Sequence, residues 1–146
     1  MKWELRAAEA ADIETIAELR ALVMRPDLVR LGRYDEVRVR QRFRDGFLAE
    51  YTWVVEIEGE FAGSVTLRPE GEGLYLENFY LEPRLQGQGV GAGILATLLQ
   101  RADDDALPVR LQVLQGSAAR RLYERHGFVP ETEDAIDVFM VRPLSR

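Results

Sequence analysis

Hydrophobic and polar residues change period along the chain, and each change marks an element. "WELRAA" (3–8) reads as a short strand. Ile13, Ile16, Leu19, Leu22 and Val23 then recur at helical spacing behind Asp12, a candidate cap. Pro26 marks the end of that helix or a turn just past it. A rougher helical pattern covers about 35–47, with Val39, Phe43 and Phe47 on one side. The period then shortens. "TWVVEIEG" (52–59) and "EFAGSVTLRP" (60–69) are strand-like runs separated by Glu58-Gly59-Glu60, a hairpin signal. "GEG" (71–73) is a turn, and "LYLENFYLEP" (74–83) is a third strand-like run stopped by Pro83. After a glycine-rich stretch, "ILATLLQ" opens a helix reaching about residue 104. "VRLQVLQ" (109–115) alternates as a strand. Ser117 is placed to cap "AARRLYERH", Gly127 suits its end, and "FVPE" and "AIDVFMVRP" have strand character.

The order is strand, two helices, three strands, helix, strand, helix, two strands. Consecutive hairpin-like strands predict antiparallel pairing. The strand–helix–strand crossover at 74–115 demands a parallel pair. The expected fold class is α/β (α+β): a mixed, mainly antiparallel sheet with a central parallel β-α-β crossover and flanking helices.

Composition narrows the setting. The 146 residues suit a single domain spanning 1–146, and apolar (47%) and charged (30%) fractions are ordinary for a globular protein. There is no cysteine, which excludes disulfides and thiolate metal sites, and no cluster of ligand-type residues at metal spacing, so no metal is expected. No run approaches a membrane span, and "MKWELRAAEAAD" lacks a signal-peptide core; a cytoplasmic protein without a membrane partner is expected. The net charge of −6 opposes nucleic-acid binding. The charge is uneven: residues 20–44 hold eight arginines against Asp27, Asp35 and Glu36, an excess of +5. A solvated helical face is the plain reading of that excess.

The stretch "QGQGVGAG" (86–93) carries the chemistry. Glycine lets backbone N–H groups converge without Cβ crowding. A helix beginning there adds unpaired donors and a partial positive charge, which together suit a phosphate. A P-loop would need Gly-Lys-Ser/Thr, and no lysine is present here. A dinucleotide fingerprint fits badly, because no acidic residue ends "VRLQVLQ" to hold a ribose.

"LYLENFYLEPRLQGQGVGAGIL" resembles the central motif of the GNAT family of N-acetyltransferases: a strand, a proline, then Gln/Arg-x-x-Gly-x-Gly/Ala opening a helix. Here it reads Gln86-Gly87-Gln88-Gly89-Val90-Gly91. "SAARRLYERHGF" is similar to the family's closing motif, with Ala119, Tyr123, Glu124, Gly127 and Phe128 in place. Many members carry Asn where this chain has Gly116, a side chain that commonly contacts the pantetheine arm.

The resemblance implies acetyl transfer from acetyl-CoA, as acyl donor, to a primary amine of a small molecule or peptide, by direct attack in a ternary complex. It places the pyrophosphate on the turn Gly87, Gln88, Gly89, Val90, Gly91 and Ala92, with Gln86 and Ser117 as further cofactor-binding residues. Pantetheine would pair with the strand edge at Phe79, Tyr80 and Leu81, and the N–H of Leu81 or a neighbour would polarise the thioester carbonyl. Tyr123 matches the general acid. Glu77, in "YLENF", resembles a Glu of the diamine acetyltransferases that works through water, and is the candidate base; regular alternation would put it on one face with Tyr75, Phe79 and Leu81. Such a carboxylate needs a raised pKa or a water relay at neutral pH. His126, the one histidine, stands where the family varies; Tyr75 and Tyr80 read as wall. A homodimer is compatible with the resemblance. Two other readings are a non-catalytic acyl-CoA-binding sensor and a basic-patch binding module. In the family the first two helices lie on the acceptor side, so their arginines disfavour a polyamine. They favour an amine that also bears a carboxylate or phosphate, with Arg25, Arg30 and Arg33 as candidates.

Overall fold

The computed structural model describes residues 2–144. The elements follow in the expected order: β1 (Trp3–Ala7), α1 (Ile13–Arg30), α2 (Glu36–Gly46), β2 (Thr52–Ile57), β3 (Glu60–Glu70), β4 (Gly73–Leu81), α3 (Val90–Asp104), β5 (Val109–Leu114), α4 (Ala119–Arg125), β6 (Val129–Glu133) and β7 (Asp137–Arg142). The seven strands form one sheet in the order β1-β2-β3-β4-β5-β7-β6. Pairing is antiparallel for β1/β2, β2/β3, β5/β7 and β6/β7, and parallel for β4/β5. The mixed α/β class expected from the hydrophobic pattern is therefore observed.

Contacts cluster in two compact units. The first takes residues up to Thr66 with Asn78–Val90, and the second takes Leu67–Glu77 with Gly91 onward. In the first, Ile16 and Ala17 of α1, Phe43 of α2, Val54 of β2 and Ala8 form a buried cluster, with Ile13, Phe47, Phe61 and Tyr80 packed against it. The β2–β3 hairpin turns on Glu58 (φ 54°) and Gly59 (φ 80°), two consecutive left-handed residues, as a type I′ turn requires. β3 and β4 approach closely at Gly63: a Cβ there would stand 2.2 Å from the Tyr80 carbonyl oxygen and 3.2 Å from Leu81 Cα. In the second unit, Ile94, Leu95, Leu98 and Ala102 form the buried stripe of α3. Val109, Leu111 and Val113 of β5 are buried while Arg110 and Gln112 are exposed, the alternation the sequence displays.

Two expectations for α1 need correction. The helix does not stop at Pro26; it runs through it to Arg30. Gly32 (φ 72°) ends it, with Gly32 N–H bonding Val29 O at 3.0 Å and Arg33 N–H bonding Leu28 O at 2.8 Å, a Schellman closure. Asp12 does not cap α1. Its carboxylate accepts the Glu9 N–H at 2.8 Å and two bonds from the Arg6 guanidinium, at 2.9 and 2.8 Å.

Arg6 also donates to Glu56 at 2.9 Å, so it links β1 to β2 and to the start of α1. The Arg6 hydrogen bonds hold Asp12 below the usual carboxylate range. A depressed carboxylate contributes stability above its unfolded value, about 3.9, and that contribution fades as pH falls through the lower folded value. Asp12→Asn is expected to melt below the wild type at pH 7, with the gap closing below about pH 4. Thermal denaturation at both pH values measures it; a gap independent of pH would separate the pair from stability.

Candidate active site

Pro83–Leu85 forms a short 3₁₀ turn after β4, anchored by buried Leu85. Residues 86–89 are exposed. Gly87 (φ 77°) and Gly89 (φ 82°) are left-handed, and a Cβ added at either would meet nothing within 4 Å. Glycine is therefore needed there for backbone conformation, not for want of room in the protein. α3 begins at Val90, so Gly91 and Ala92 stand in its first turn, where N–H groups have no intrahelical acceptor. The turn is tied down by its glutamines. Gln86 Nε2 donates to Leu81 O at 3.1 Å, and Gln88 Nε2 donates to Arg84 O at 2.8 Å. Both side-chain amides thus serve the turn itself.

β4 offers a backbone edge. Its ladder with β5 pairs Leu74 with Val109 and Tyr75 with Arg110, near the start of both strands. Further on, Glu82 N–H bonds Ala62 O on β3 at 2.9 Å. Backbone groups alternate in direction along a strand, so the N–H and C=O of Leu81, and of Phe79 two residues earlier, point away from β3. On that side the Leu81 carbonyl accepts from Gln86, while the Leu81 N–H and the Phe79 backbone groups face away from β3. The Tyr80 side chain goes elsewhere: it packs on the α1–α2 cluster, and its hydroxyl accepts from Arg20 Nη1 at 2.6 Å. Tyr80 can offer an extended ligand no side-chain contact on the Phe79–Leu81 face.

The facing of Glu77 departs from the expectation. Arg68 Nε donates to Glu77 Oε2 at 2.8 Å, and Asn78 Nδ2 donates to Thr66 Oγ1 at 3.3 Å. Arg68 and Thr66 are two apart on β3 and share a face. Consecutive side chains of β4 therefore share that face, which regular alternation forbids. Asn78 is the cause, a left-handed residue (φ 53°) in mid-strand that makes a bulge. Past the bulge the parity inverts. Tyr80 stays with Asn78, its hydroxyl 3.3 Å from Asn78 Oδ1, while Phe79 and Leu81 take the opposite face. Glu77 shares its face with Tyr75, not with Phe79 and Leu81. Buried hydroxyls hold the bulge: Ser64 Oγ donates to Asn78 O at 2.8 Å, and Thr66 Oγ1 lies 2.8 Å from Thr52 Oγ1.

Glu77, Arg68 and Tyr75 form one cluster, with the Arg68 guanidinium 4.7 Å from the centre of the Tyr75 ring. Burial first, then the Glu77 charge, pushes the Tyr75 hydroxyl up to about 12. Tyr75 is thus a neutral wall residue at physiological pH. Glu77 engages Arg68 through Oε2 and leaves Oε1 without a protein partner among the described residues.

Tyr123 is buried at 8% exposure on α4. Phe128 N–H bonds Tyr123 O at 3.1 Å and Gly127 N–H bonds Glu124 O at 3.2 Å, closing α4 in a Schellman motif around Gly127 (φ 93°). The rings of Tyr123 and Phe128 meet edge to face at 5.8 Å between centroids, the apolar contact that accompanies such a cap. Ser117 Oγ accepts the Ala119 N–H at 3.2 Å, although Ala118 is the residue at the helix cap. Gly116 is left-handed (φ 77°), a conformation glycine adopts without steric cost. His126 Nδ1 lies 2.9 Å from Leu122 O, at the helix end.

The arginine-rich segment is more neutral than its sequence window suggests. Arg40 pairs with Glu18 and Arg44 with Glu14, both carboxylates outside 20–44, and Arg30 pairs with Asp27. Over residues 13–46 eight arginines face six carboxylates. Arg25 stacks 5.1 Å from the centre of the Tyr34 ring. The residues that sequence reasoning did not single out are Asn78 and Arg20. Arg20 carried a legible signal: it follows Ile16 by one helical turn, on the buried stripe of α1.

A family model described as the acetyltransferase (GNAT) family matches residues 16–128. Among solved structures, the chain is similar to the PaiA N-acetyltransferase of Thermoplasma acidophilum in complex with coenzyme A. That match has 20% identity over 98% of this chain and 99% of that one, with a TM-score of 0.78. It is similar to the ribosomal-protein-S18-alanine N-acetyltransferase of Escherichia coli (18% identity, 99% and 96% of the two chains, TM-score 0.73). It is also similar to Ard1 of Thermoplasma volcanium (19%, 100% and 100%, TM-score 0.72). No curated protein sequence matches the chain. At these identities the solved structures speak for the fold, and the family model speaks for descent. The chain belongs to the GNAT acetyltransferase family.

Proposed function

We propose that this protein is an acetyl-CoA-dependent N-acetyltransferase acting on a primary amine of a small molecule or peptide, by direct attack in a ternary complex. The observation that carries the reading is the exposed turn with left-handed Gly87 and Gly89 at the mouth of α3. Its N–H groups and the helix dipole suit a pyrophosphate. The backbone of Phe79 and Leu81, directed away from β3, suits the amides of an extended pantetheine arm. One of those N–H groups would stabilise the oxyanion formed as the amine attacks the thioester carbon. The C–S bond then breaks, and Tyr123 would give the departing thiolate a proton. Before the attack Glu77 would take one proton from the acceptor ammonium through its Oε1 or an intervening water, and the second N–H proton would return to the Tyr123 phenolate as the amide forms. Gln86 and Gln88 would support the turn rather than touch the phosphate.

Calorimetric titration with coenzyme A, then thiol release across an amine panel, tests the reading. Coenzyme A binding with acetylation of at least one amine supports it. The burial of Tyr123 against Phe128 favours a second reading, a non-catalytic acyl-CoA-binding protein; tight binding with no turnover on any amine would select it.

Glu77→Gln is expected to lower kcat by roughly tenfold and to flatten the acid limb of the pH–rate profile, with the KM for acetyl-CoA unchanged. A Gln variant whose profile overlays the wild type would assign deprotonation to another group or to bulk water.

A further inference from the structure

Three arginines of α1 and α2 pair closely with carboxylates: Arg30 with Asp27 at 2.8 Å, Arg40 with Glu18 at 2.6 Å and Arg44 with Glu14 at 2.8 Å. Arg20 is different. It is half-buried on the core-facing stripe of α1, and among the described residues no carboxylate pairs with it. Its Nε donates to the Val39 carbonyl of α2 at 2.8 Å. Its Nη1 donates to the Tyr80 hydroxyl at 2.6 Å, and the guanidinium carbon stands 6.0 Å from the centre of the Tyr80 ring. Tyr80 is in turn fixed by Asn78 Oδ1 at 3.3 Å and lies near Met24 Sδ at 3.7 Å.

These contacts set the orientation of the guanidinium and leave its charge uncompensated. A guanidinium has five N–H donors, and Val39 and Tyr80 account for two of them; among the described residues nothing claims Nη2. Withdrawing a cation from water without an anion is unfavourable, and an α1–α2 cross-link alone could be made by a neutral amide. Nη2 and the second Nη1 hydrogen are left for an incoming anion, two donors on the end of the guanidinium of the kind a carboxylate matches. Arg20 bonds the hydroxyl of Tyr80 on β4, the residue between Phe79 and Leu81, so an anion held there would lie on the α1–α2 side of that strand.

We propose that Arg20, oriented by Tyr80 and Val39, is a specificity-determining residue that binds a carboxylate of the acceptor, and that the acceptor is an amino carboxylate. This rests on the acetyl-transfer reading above. The assignment differs from the one based on charge density alone: Arg30 is paired with Asp27 and Arg25 is stacked on Tyr34, whereas Arg20 is oriented and unneutralised.

The experiment is a set of matched acceptor pairs, each an amino acid and its decarboxylated amine, with spermidine as a polycation control. Wild type, Arg20→Gln and Arg20→Lys are assayed for kcat and KM, with melting temperature and calorimetric acetyl-CoA affinity reporting the integrity of each variant. In the wild type the carboxylated member of at least one pair is expected to have the higher kcat/KM. Arg20→Gln is expected to lower kcat/KM for that member by about 10²-fold, chiefly through KM, and to lower it far less for the amine partner. Arg20→Lys, which keeps charge but not the fork, should fall between. Equal losses on both members, whatever the melting temperature, would reduce Arg20 to a cross-link and overturn the proposal. So would a wild-type preference for spermidine or for the decarboxylated amines. Intact acetyl-CoA binding with no turnover on any acceptor would instead overturn the transferase reading, and this one with it.

Discussion

Gly89→Val is expected to weaken coenzyme A binding by at least about 10²-fold in a chain that still folds. Two separate costs act. A β-branched residue at φ 82° is a genuine outlier, and the left-handed region costs an ordinary L-residue about 1–2 kcal/mol. The turn would relax to another conformation, and its N–H groups would lose their convergence. The second cost is steric, and it is felt by the ligand. No protein atom stands within 4 Å of a Cβ at this position, so the added atoms would project into the space above the turn. Because that space is empty of protein, the variant should remain folded, and calorimetry on a sample with a wild-type circular dichroism spectrum can separate binding from stability. Gly89→Asn separates the two costs, since Asn tolerates the left-handed region. A loss with Asn close to that with Val would identify steric exclusion as the dominant cost; a much smaller loss would identify backbone conformation. Wild-type affinity in the folded Val variant would remove the phosphate-cradle argument.

Tyr123→Phe is expected to lower turnover by roughly 10² or more while leaving coenzyme A affinity in place. The substitution keeps the packing of the ring. The aromatic ring carries the edge-to-face contact with Phe128, and the main chain of the same residue accepts the Phe128 N–H that closes α4. Phe preserves both and removes only the hydroxyl. A general acid in the proposed role acts after the tetrahedral adduct forms, so its loss should appear in kcat rather than in acetyl-CoA binding. Steady-state thiol release, with calorimetry on the same sample, reads both. Turnover equal to the wild type would leave Tyr123 with the packing role that its burial already provides.

The element order was legible because each element announces its own period. β5 alternates strictly, α3 presents its apolar stripe, and the glycines at 59, 87, 89 and 127 fall at turns or helix ends where positive φ is required. Three features escaped, each for a non-local reason. Pro26 reads as a helix stop, but the carbonyl it leaves unbonded belongs to Leu22, a residue 57% exposed, so water can satisfy it. The stop lay at Gly32. The facing of Glu77 depends on the bulge at Asn78, and that bulge is held by hydroxyls on β3 more than ten residues earlier. The arginine excess of 20–44 was exaggerated because Glu14 and Glu18, which answer Arg44 and Arg40, lie six and two residues upstream of the window. Of the proposed catalytic pair, Tyr123 and Glu77 were both legible as candidates through their motifs. The neighbours that qualify them, Phe128 and Arg68, became assignable only with the fold.

The close passage of β3 and β4 at Gly63 bears on how such a protein can diversify. A single methyl group there would have to push back the backbone that carries Tyr80 and Leu81, not a pliant side chain. Positions of that kind are closed to drift, because the first mutational step is already disabling and no later step can rescue it cheaply. The exposed side chains of α1, such as Leu22 and Val29, have no such veto, since they can be exchanged without moving a strand. New acceptor preferences would therefore be expected to arise by rewriting α1 and α2 over an unchanging β3–β4 frame, with the acyl donor inherited intact through each change.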